Sequence, residues 1–237
     1  APFLIGALQT AGLQAHYAVL FSDDPTAYRA MLENLLGHVD NCSPHPTSRG
    51  VVGEEKKSQQ TLAQPQPPEI IISTGAVSKG DYDFIPSVLR DLGAEFLFHG
   101  VKMRPGKPIL MAKLGSCYYF GLAGNPAAVA VGYQFFVLPF LRALQGLSAE
   151  CPLRAKLMTS TSKKEGFTQF LKAYACLDAQ ACLCVSILPG QASFSVKPFL
   201  KANAWVIAEE NTSELKAGSL VPLVLTGPLT VAGASDA

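Results

Sequence analysis

Apolar residues recur at helical spacing in three stretches, within residues 4–11, 28–36 and 127–144. Gly12 is a suitable stop for the first helix, and the acidic start before Pro25 predicts the beginning of the second. The third stretch has the widest apolar face. The buried faces of these helices are predicted to contain Leu4, Ile5, Leu8, Ala11, Tyr28, Met31, Leu32, Leu35, Leu36, Val129, Tyr133, Phe136, Val137, Phe140, Leu141 and Leu144.

Short apolar runs between glycine- and proline-containing turns predict strands. In the first part of the chain these are 13–21, 70–73, 96–101, 109–111 and 117–120, with a further helix over 84–92. Strands that alternate with helices are typical of an α/β fold, so we expect a mostly parallel sheet with helices on both faces.

The pattern changes after Gly146, where no long helix is predicted. Short strands are expected at 155–161, 167–177, 182–188, 204–207 and 220–225. This region is therefore predicted to be a small β-barrel or sandwich. We place one domain at 1–147 and the second at 152–228.

Residues 41–68 interrupt the first domain. They contain five prolines, four glutamines and only three aliphatic residues. Such a segment cannot bury enough apolar surface to offset its ordering entropy, so we predict a disordered insert.

Composition excludes some classes of function. The net charge of +1 argues against broad binding to nucleic acid or to membrane surfaces. We find no apolar run of the roughly 18–20 residues that a membrane helix needs, and no signal peptide. Six cysteines without a CxxC pair predict reduced structural thiols and a cytoplasmic location.

Three turns carry the candidate chemistry. Residues 74–80 (TGAVSKG) follow a strand, and their glycines, amides and hydroxyls suit a phosphate or another anion. Residues 102–107 (KMRPGK) present basic side chains that can pair with an oxyanion. Residues 121–126 (GLAGNP) lead into the longest helix and offer a second anion site. Each also has a structural interpretation, as an ordinary turn or a solvated basic loop. No Walker loop, GxGxxG or GxSxG pattern occurs.

Acidic residues lie beside these turns. Asp23 and Asp24 precede a helix and could hold Mg²⁺ or simply cap the helix. Asp83 follows the first turn, where a carboxylate near phosphate suggests a bridging cation, although it could also cap the next helix. His99 lies next to the basic loop, and a structural role is the more economical interpretation.

Together these segments resemble a known family. STGAVSKGDYDF, HGVKMRPGKP and GLAGNP occur in the order found in the MoeA/gephyrin E-domain family of molybdopterin molybdenumtransferases. The resemblance covers residues 2–40 and 69–146 well and 152–225 less closely. It implies a three-layer molybdopterin-binding domain followed by a small β-barrel.

The resemblance also implies a reaction and a set of site residues. Family members insert molybdenum from molybdate into adenylated molybdopterin, use Mg²⁺ and release AMP. No covalent nucleophile is evident in this sequence. By this resemblance, catalysis would involve Asp83, Arg104 and Lys107, and the metal would be held by Asp23 and Asp83. The residues that would bind the pterin, phosphate and molybdate are Thr74, Gly75, Ser78, Gly80, Gly124, Asn125, Pro126 and Ser193.

Several positions depart from the family pattern. Ala76 replaces a glycine, Ala123 replaces a proline, and Phe167 stands where an arginine often follows glycine. The chain begins after the family's first nucleotide-domain strand and TGDE motif, so we expect little turnover from it by itself. The resemblance implies homodimerisation through upstream domains and contacts with a molybdopterin adenylyltransferase and molybdoenzymes. A non-catalytic pterin- or nucleotide-binding module, or an inactive fragment, is the alternative.

Overall fold

The computed structural model describes residues 2–13, 15, 24–37, 67–77 and 83–231. Residues 41–66 of the predicted insert and most of the predicted strand 13–21 lie outside these ranges, as do Asp23, Ser78 and Gly80. The helix α1 (Pro2–Thr10) ends before Gly12, whose φ of +76° favours glycine. The helix α2 (Pro25–Leu35) is capped by Asp24, whose carboxylate accepts a 2.8 Å hydrogen bond from the amide of Thr26.

Four strands form a mixed sheet in the first region. In chain order the strands here are β1 (Ile70–Thr74), β2 (Glu95–His99), β3 (Met103–Arg104), β4 (Leu110–Leu114) and β5 (Cys117–Leu122). The sheet order is β1-β5-β4-β2, and β3 lies outside it. Among the described strands of this sheet, β1 and β5 pair in parallel, while β5–β4 and β4–β2 are antiparallel. The α/β class is confirmed, but the described sheet is mixed rather than mostly parallel, because short loops join β2, β4 and β5 without crossover helices.

Two helices pack against this sheet after β1. The helix α3 (Ile85–Asp91) buries Val88 and Leu89 against β4 and α2. The helix α4 (Pro126–Leu144) packs in a second cluster with β5. Its middle, Tyr133–Val137, is a π-helical turn directly before Pro139, which has no amide hydrogen to donate to the preceding turn.

Two predicted buried positions are wrong. Leu35 is 39% exposed at the last residue of α2, and Leu144 is 55% exposed at the end of α4. Both are terminal, where a helix extends beyond the element it packs against. The helix α4 has 19 residues and, by length and composition alone, could cross a membrane, since an 18-residue window in it has a mean hydropathy of 1.6. Gln134 and Arg142 interrupt its apolar run, and 44% of that window is buried inside this protein.

The second region contains the predicted β-barrel. Its strands are β6 (Leu153–Leu157), β7 (Thr161–Ser162), β8 (Thr168–Leu177), β9 (Leu183–Ile187), β10 (Ala204–Ala208), β11 (Glu214–Leu215), β12 (Leu220–Leu225) and β13 (Thr230–Val231). Five of them follow the order β10-β12-β6-β9-β8, and pairing of β10 with β8 closes the barrel. Its narrow interior is filled by alanine, valine and leucine, including Ala173, Val206 and Leu223.

The two regions share a hydrophobic cluster. Phe170 and Trp205, on the outer face of the barrel, belong to the same cluster as Met103 and Phe120. The ring centroids of Phe135 in α4 and Phe170 in β8 are 4.2 Å apart. The strand β3 also pairs in parallel with β8, with Arg104 opposite Gln169. The barrel is thus docked on α4 and on the basic loop through both side chains and backbone.

Candidate functional site

A cavity of about 350 Å³ lies where the three predicted turns meet the barrel. Six of the described candidate residues border it: Asp83, Arg104, Lys107, Gly124, Asn125 and Ser193. Sequence reasoning missed the remaining lining residues: Ala76, Val77, Met103, Pro105, Gly106, Pro108, Ala123 and Ala128. Each lies within, or one or two residues from, a turn that the sequence did identify, including Ala128 in the first turn of α4.

The first turn follows β1 and is held by backbone hydrogen bonds. The amide of Gly75 donates to the carbonyl oxygen of Leu122 at 2.8 Å, and Gly75 has a φ of +93° that favours glycine. His99 Nε2 donates to the carbonyl oxygen of Val77 at 3.1 Å, which supports the structural role for this histidine. Thr74 and Gly75 precede the part of the turn that borders the cavity, which begins at Ala76.

The basic loop connects β2 and β4 and forms the next part of the wall. The amide of Val101 donates to the carbonyl oxygen of Lys107 at 2.9 Å, which closes the loop at its base. Gly106 has a φ of +95°, and a Cβ there would come within 2.9 Å of the Met103 methyl carbon. The Met103 side chain could move away from a Cβ, so it is the positive φ that favours glycine where the chain turns between the two cations that line the cavity, Arg104 and Lys107.

The three basic side chains of this loop have different surroundings. The Nζ of Lys102 forms an ion pair with Glu210 at 3.2 Å and does not border the cavity. Within the described ranges, Arg104 and Lys107 form no ion pair. The Nζ of Lys107 lies 5.8 Å from the centre of the Phe167 ring, at cation–π distance. The lining therefore contains two cations and one described carboxylate, Asp83, which suits an anionic ligand.

The third turn leads into α4 beside the first. Gly124 is in contact with Gly75, since a Cβ on Gly124 would be 3.5 Å from the Cα of Gly75. Asn125 is the N-cap residue of α4, but its side chain makes no capping hydrogen bond and it borders the cavity instead. Pro126 occupies the first turn of the helix and does not border the cavity.

The acidic residues separate into two roles. Asp24 caps α2, in agreement with the capping interpretation of this residue. Asp83 borders the cavity, and the N-cap position of α3 belongs to Phe84 rather than to Asp83. Among the residues that the structure describes, no group of three or more His, Cys, Asp or Glu side chains is placed to hold a metal.

A hydroxyl network supports the first turn from behind. Tyr119 in β5 donates to Ser73 Oγ at 2.5 Å and is also hydrogen bonded to the hydroxyl of Tyr28 in α2. Burial, followed by repulsion from Tyr28, raises the pKa of Tyr119 well above its ordinary value. The network thus joins α2 to the carboxyl end of β1, close to Ala76, where the lining of the cavity begins.

Comparison with known proteins matches each of the two regions to a protein family. The family described as "Probable molybdopterin binding domain" matches residues 45–143, and "MoeA C-terminal region (domain IV)" matches residues 154–226. Proteins named molybdopterin molybdenumtransferase from Staphylococcus epidermidis and Staphylococcus aureus are 33% and 35% identical over 162 residues, or 67% of this chain. The two family matches together cover most of the chain, which belongs to the MoeA family.

Solved structures of the family agree in fold. A molybdopterin biosynthesis MoeA protein from Pyrococcus horikoshii has a TM-score of 0.63 over 94% of this chain and 45% of that protein, at 17% identity. A second MoeA structure from this organism has a TM-score of 0.53 at 25% identity, over 68% of this chain and 38% of that one. The chain spans 38% of the length of the staphylococcal relatives it matches.

Proposed function

We propose that this chain carries the substrate-binding and catalytic surface of a molybdopterin molybdenumtransferase. The reaction inserts molybdenum from molybdate into adenylated molybdopterin and releases AMP. The observation that supports it most is the cavity bordered by all three turns and by Ser193, with Arg104 and Lys107 in its wall. Both partners in the reaction are anions, and this wall has more positive than negative charge.

Each part of the wall has a role in this proposal. Arg104 offers a planar set of N–H donors for molybdate, and Lys107 offers a compact charge for phosphate. The first and third turns would hold phosphate and pterin against backbone, where glycine permits close approach. When water attacks the anhydride between the two phosphates, a new P–O bond forms as the bond to AMP breaks, negative charge moves onto the departing AMP, and these cations stabilise that charge.

The described residues fit Mg²⁺ in a limited way. Asp83 is the one carboxylate in the described lining, and Mg²⁺ commonly combines one or two carboxylates with phosphate oxygens and water. Asp83 would hold the ion together with Asp23, which lies outside the described residues. Bound Mg²⁺ would neutralise phosphate charge during cleavage.

Molybdate binding tests the site directly. We expect Arg104→Gln to weaken molybdate binding about tenfold in equilibrium dialysis, since a charge-assisted hydrogen bond is lost. Lys102→Gln is the matched control, because it removes the same charge from the same loop at a side chain directed to Glu210. Equal weakening by both variants would indicate only long-range attraction and would overturn the site.

Turnover separates the enzyme from a binding module. In a protein that joins this chain to the family's upstream segment with the TGDE motif, Asp83→Asn should lower metal-dependent AMP release much more than it lowers binding of adenylated molybdopterin, because the metal acts on charge that develops during cleavage. The second candidate, a non-catalytic pterin- or nucleotide-binding module, is favoured by a described lining with two cations and a single acid. Binding without AMP release at any tested metal concentration would support that module.

A further inference from the structure

A lysine is buried on the outer face of the barrel beneath the loop that carries Ser193. Lys172 is 1% exposed, and its neighbours Leu171 and Ala173 point into the barrel core. Its Nζ donates to the carbonyl oxygens of Ala192 at 3.1 Å and Ser195 at 3.0 Å. The two acceptors lie on either side of Ser193 in the sequence, so one ammonium group holds both sides of this short segment.

The backbone of Lys172 also holds this loop, through hydrogen bonds to the side chain of Gln191. The side-chain oxygen of Gln191 accepts from the Lys172 amide at 2.9 Å. Its side-chain nitrogen donates to the carbonyl oxygens of Lys172 at 2.9 Å and Leu188 at 2.6 Å. Residues 188–196 are therefore fastened to one position of β8 by two side chains.

The burial of this lysine calls for a reason beyond packing. Within the described residues Lys172 has no carboxylate partner, and its charge is met by carbonyl oxygens and by the Phe199 ring 5.3 Å away. Burial lowers the pKa of Lys172, because desolvation disfavours a charged ammonium group. A methionine would fill the same space without that cost. What methionine cannot do is donate hydrogen bonds to the loop.

We propose that Lys172 is a positioning residue of the cavity, which with Gln191 fixes residues 188–196 so that Ser193 forms part of the wall. The inference rests on the proposed function for its ligand, molybdate. Lys172 does not itself border the cavity, so it acts through the backbone that presents Ser193.

The experiment uses the 237-residue chain and two variants, which remove the hydrogen bonds between β8 and the loop from the strand side and from the loop side. Lys172→Met removes the donor in the barrel, and Gln191→Ala removes the amide in the loop. Lys156→Met is the control, since it makes the same exchange at an exposed residue of β6. Amide hydrogen exchange over residues 189–196, molybdate affinity and thermal unfolding are measured for each. Gln191 lies in a loop rather than in the barrel, so its variant retains the test if Lys172→Met does not fold.

Lys172→Met and Gln191→Ala should both raise exchange in the loop at least tenfold and weaken molybdate binding about tenfold, while the control changes neither. Combined with Ser193→Ala, each should weaken binding little further, because both act through the same side chain. Unchanged loop exchange, fully additive losses, or faster exchange with unaltered affinity would overturn the positioning role. If the unsubstituted chain binds no molybdate, the proposed function fails, whereas the exchange data still decide whether Lys172 and Gln191 hold the loop.

Discussion

The two sides of the cavity are held in place by different kinds of bond. On the α/β side, β1 and β5 pair from Ile70 to Thr74, and a further backbone bond from Gly75 fixes the first turn. On the barrel side, a single backbone bond from Leu188 to Lys172 begins the Ser193 loop, and side-chain bonds from Lys172 and Gln191 hold the rest of it. Backbone pairing on the α/β side tolerates many different side chains, but not an added group where two elements are in close contact. The barrel side depends instead on the identity of Lys172 and Gln191.

The largest effect should come from separating the two sides. Phe170→Ala removes a buried ring that packs 4.2 Å from Phe135 between the barrel and α4. We expect a loss of about 3–5 kcal/mol in the free energy of unfolding, measured by urea titration. Phe194→Ala, at a ring that is 77% exposed, should change it little. A loss below about 1 kcal/mol for Phe170→Ala would mean that this contact does not join the regions.

The backbone-held side should be sensitive to added volume. A Cβ on Gly121 would come within 2.7 Å of a Val77 methyl group and 2.8 Å of Leu110 Cγ, so Gly121→Ala forces β5, β4 and the first turn apart. We expect a loss of about 1–3 kcal/mol in the same urea titration. Gly6→Ala, in α1 with nothing within 4 Å, should be neutral or stabilising. Unchanged stability for Gly121→Ala would show that the α/β side accommodates an added methyl group at no cost, which would contradict its close packing.

Alkaline pH offers a smaller test of the network behind the first turn. The pKa of Tyr119 is raised by burial, so in the folded protein its phenol stays protonated above pH 10, where the unfolded phenol ionises. Stability should therefore fall as pH rises above 10, by up to about 1.4 kcal/mol per pH unit for this group. Tyr119→Phe should reduce that slope in urea titrations, and Tyr174→Phe should retain it. Identical slopes for Tyr119→Phe and the unsubstituted chain would contradict the assignment.

The smallest effect should appear where the barrel meets the basic loop. Phe167→Leu keeps an apolar side chain but removes the ring 5.8 Å from the Lys107 ammonium group. An exposed cation–π contact contributes about 0.5–1 kcal/mol, so molybdate binding should change by two- to fivefold in equilibrium dialysis. The same measurement on Phe3→Leu provides the control, at a ring that is 55% exposed and does not border the cavity. A change above tenfold would mean that Phe167 contacts the ligand itself.

Much of the fold could be predicted because it depends on local pattern. The predicted strand 220–225 has the observed bounds, and those at 70–73 and 117–120 end within two residues of the observed strands. The predicted helix 127–144 starts one residue late. The π turn before Pro139 and the antiparallel β4 pairings were not predicted, because they depend on how neighbouring elements meet. The domain boundary and the roles of the candidate residues remain predictions.

The candidate site divides in the same way. By itself the sequence determined which segments carry glycine, charge and a helix start, because turn geometry and capping are properties of a few adjacent residues. It gave no reason to select Lys172, which stands in an apolar strand at an outward position. Only the tertiary structure decided that this position is covered, by a loop some twenty residues later in the chain. It also decided that Asp83, Arg104, Asn125 and Ser193 border one cavity, because contacts between distant segments depend on how the sheet, helix and barrel pack together.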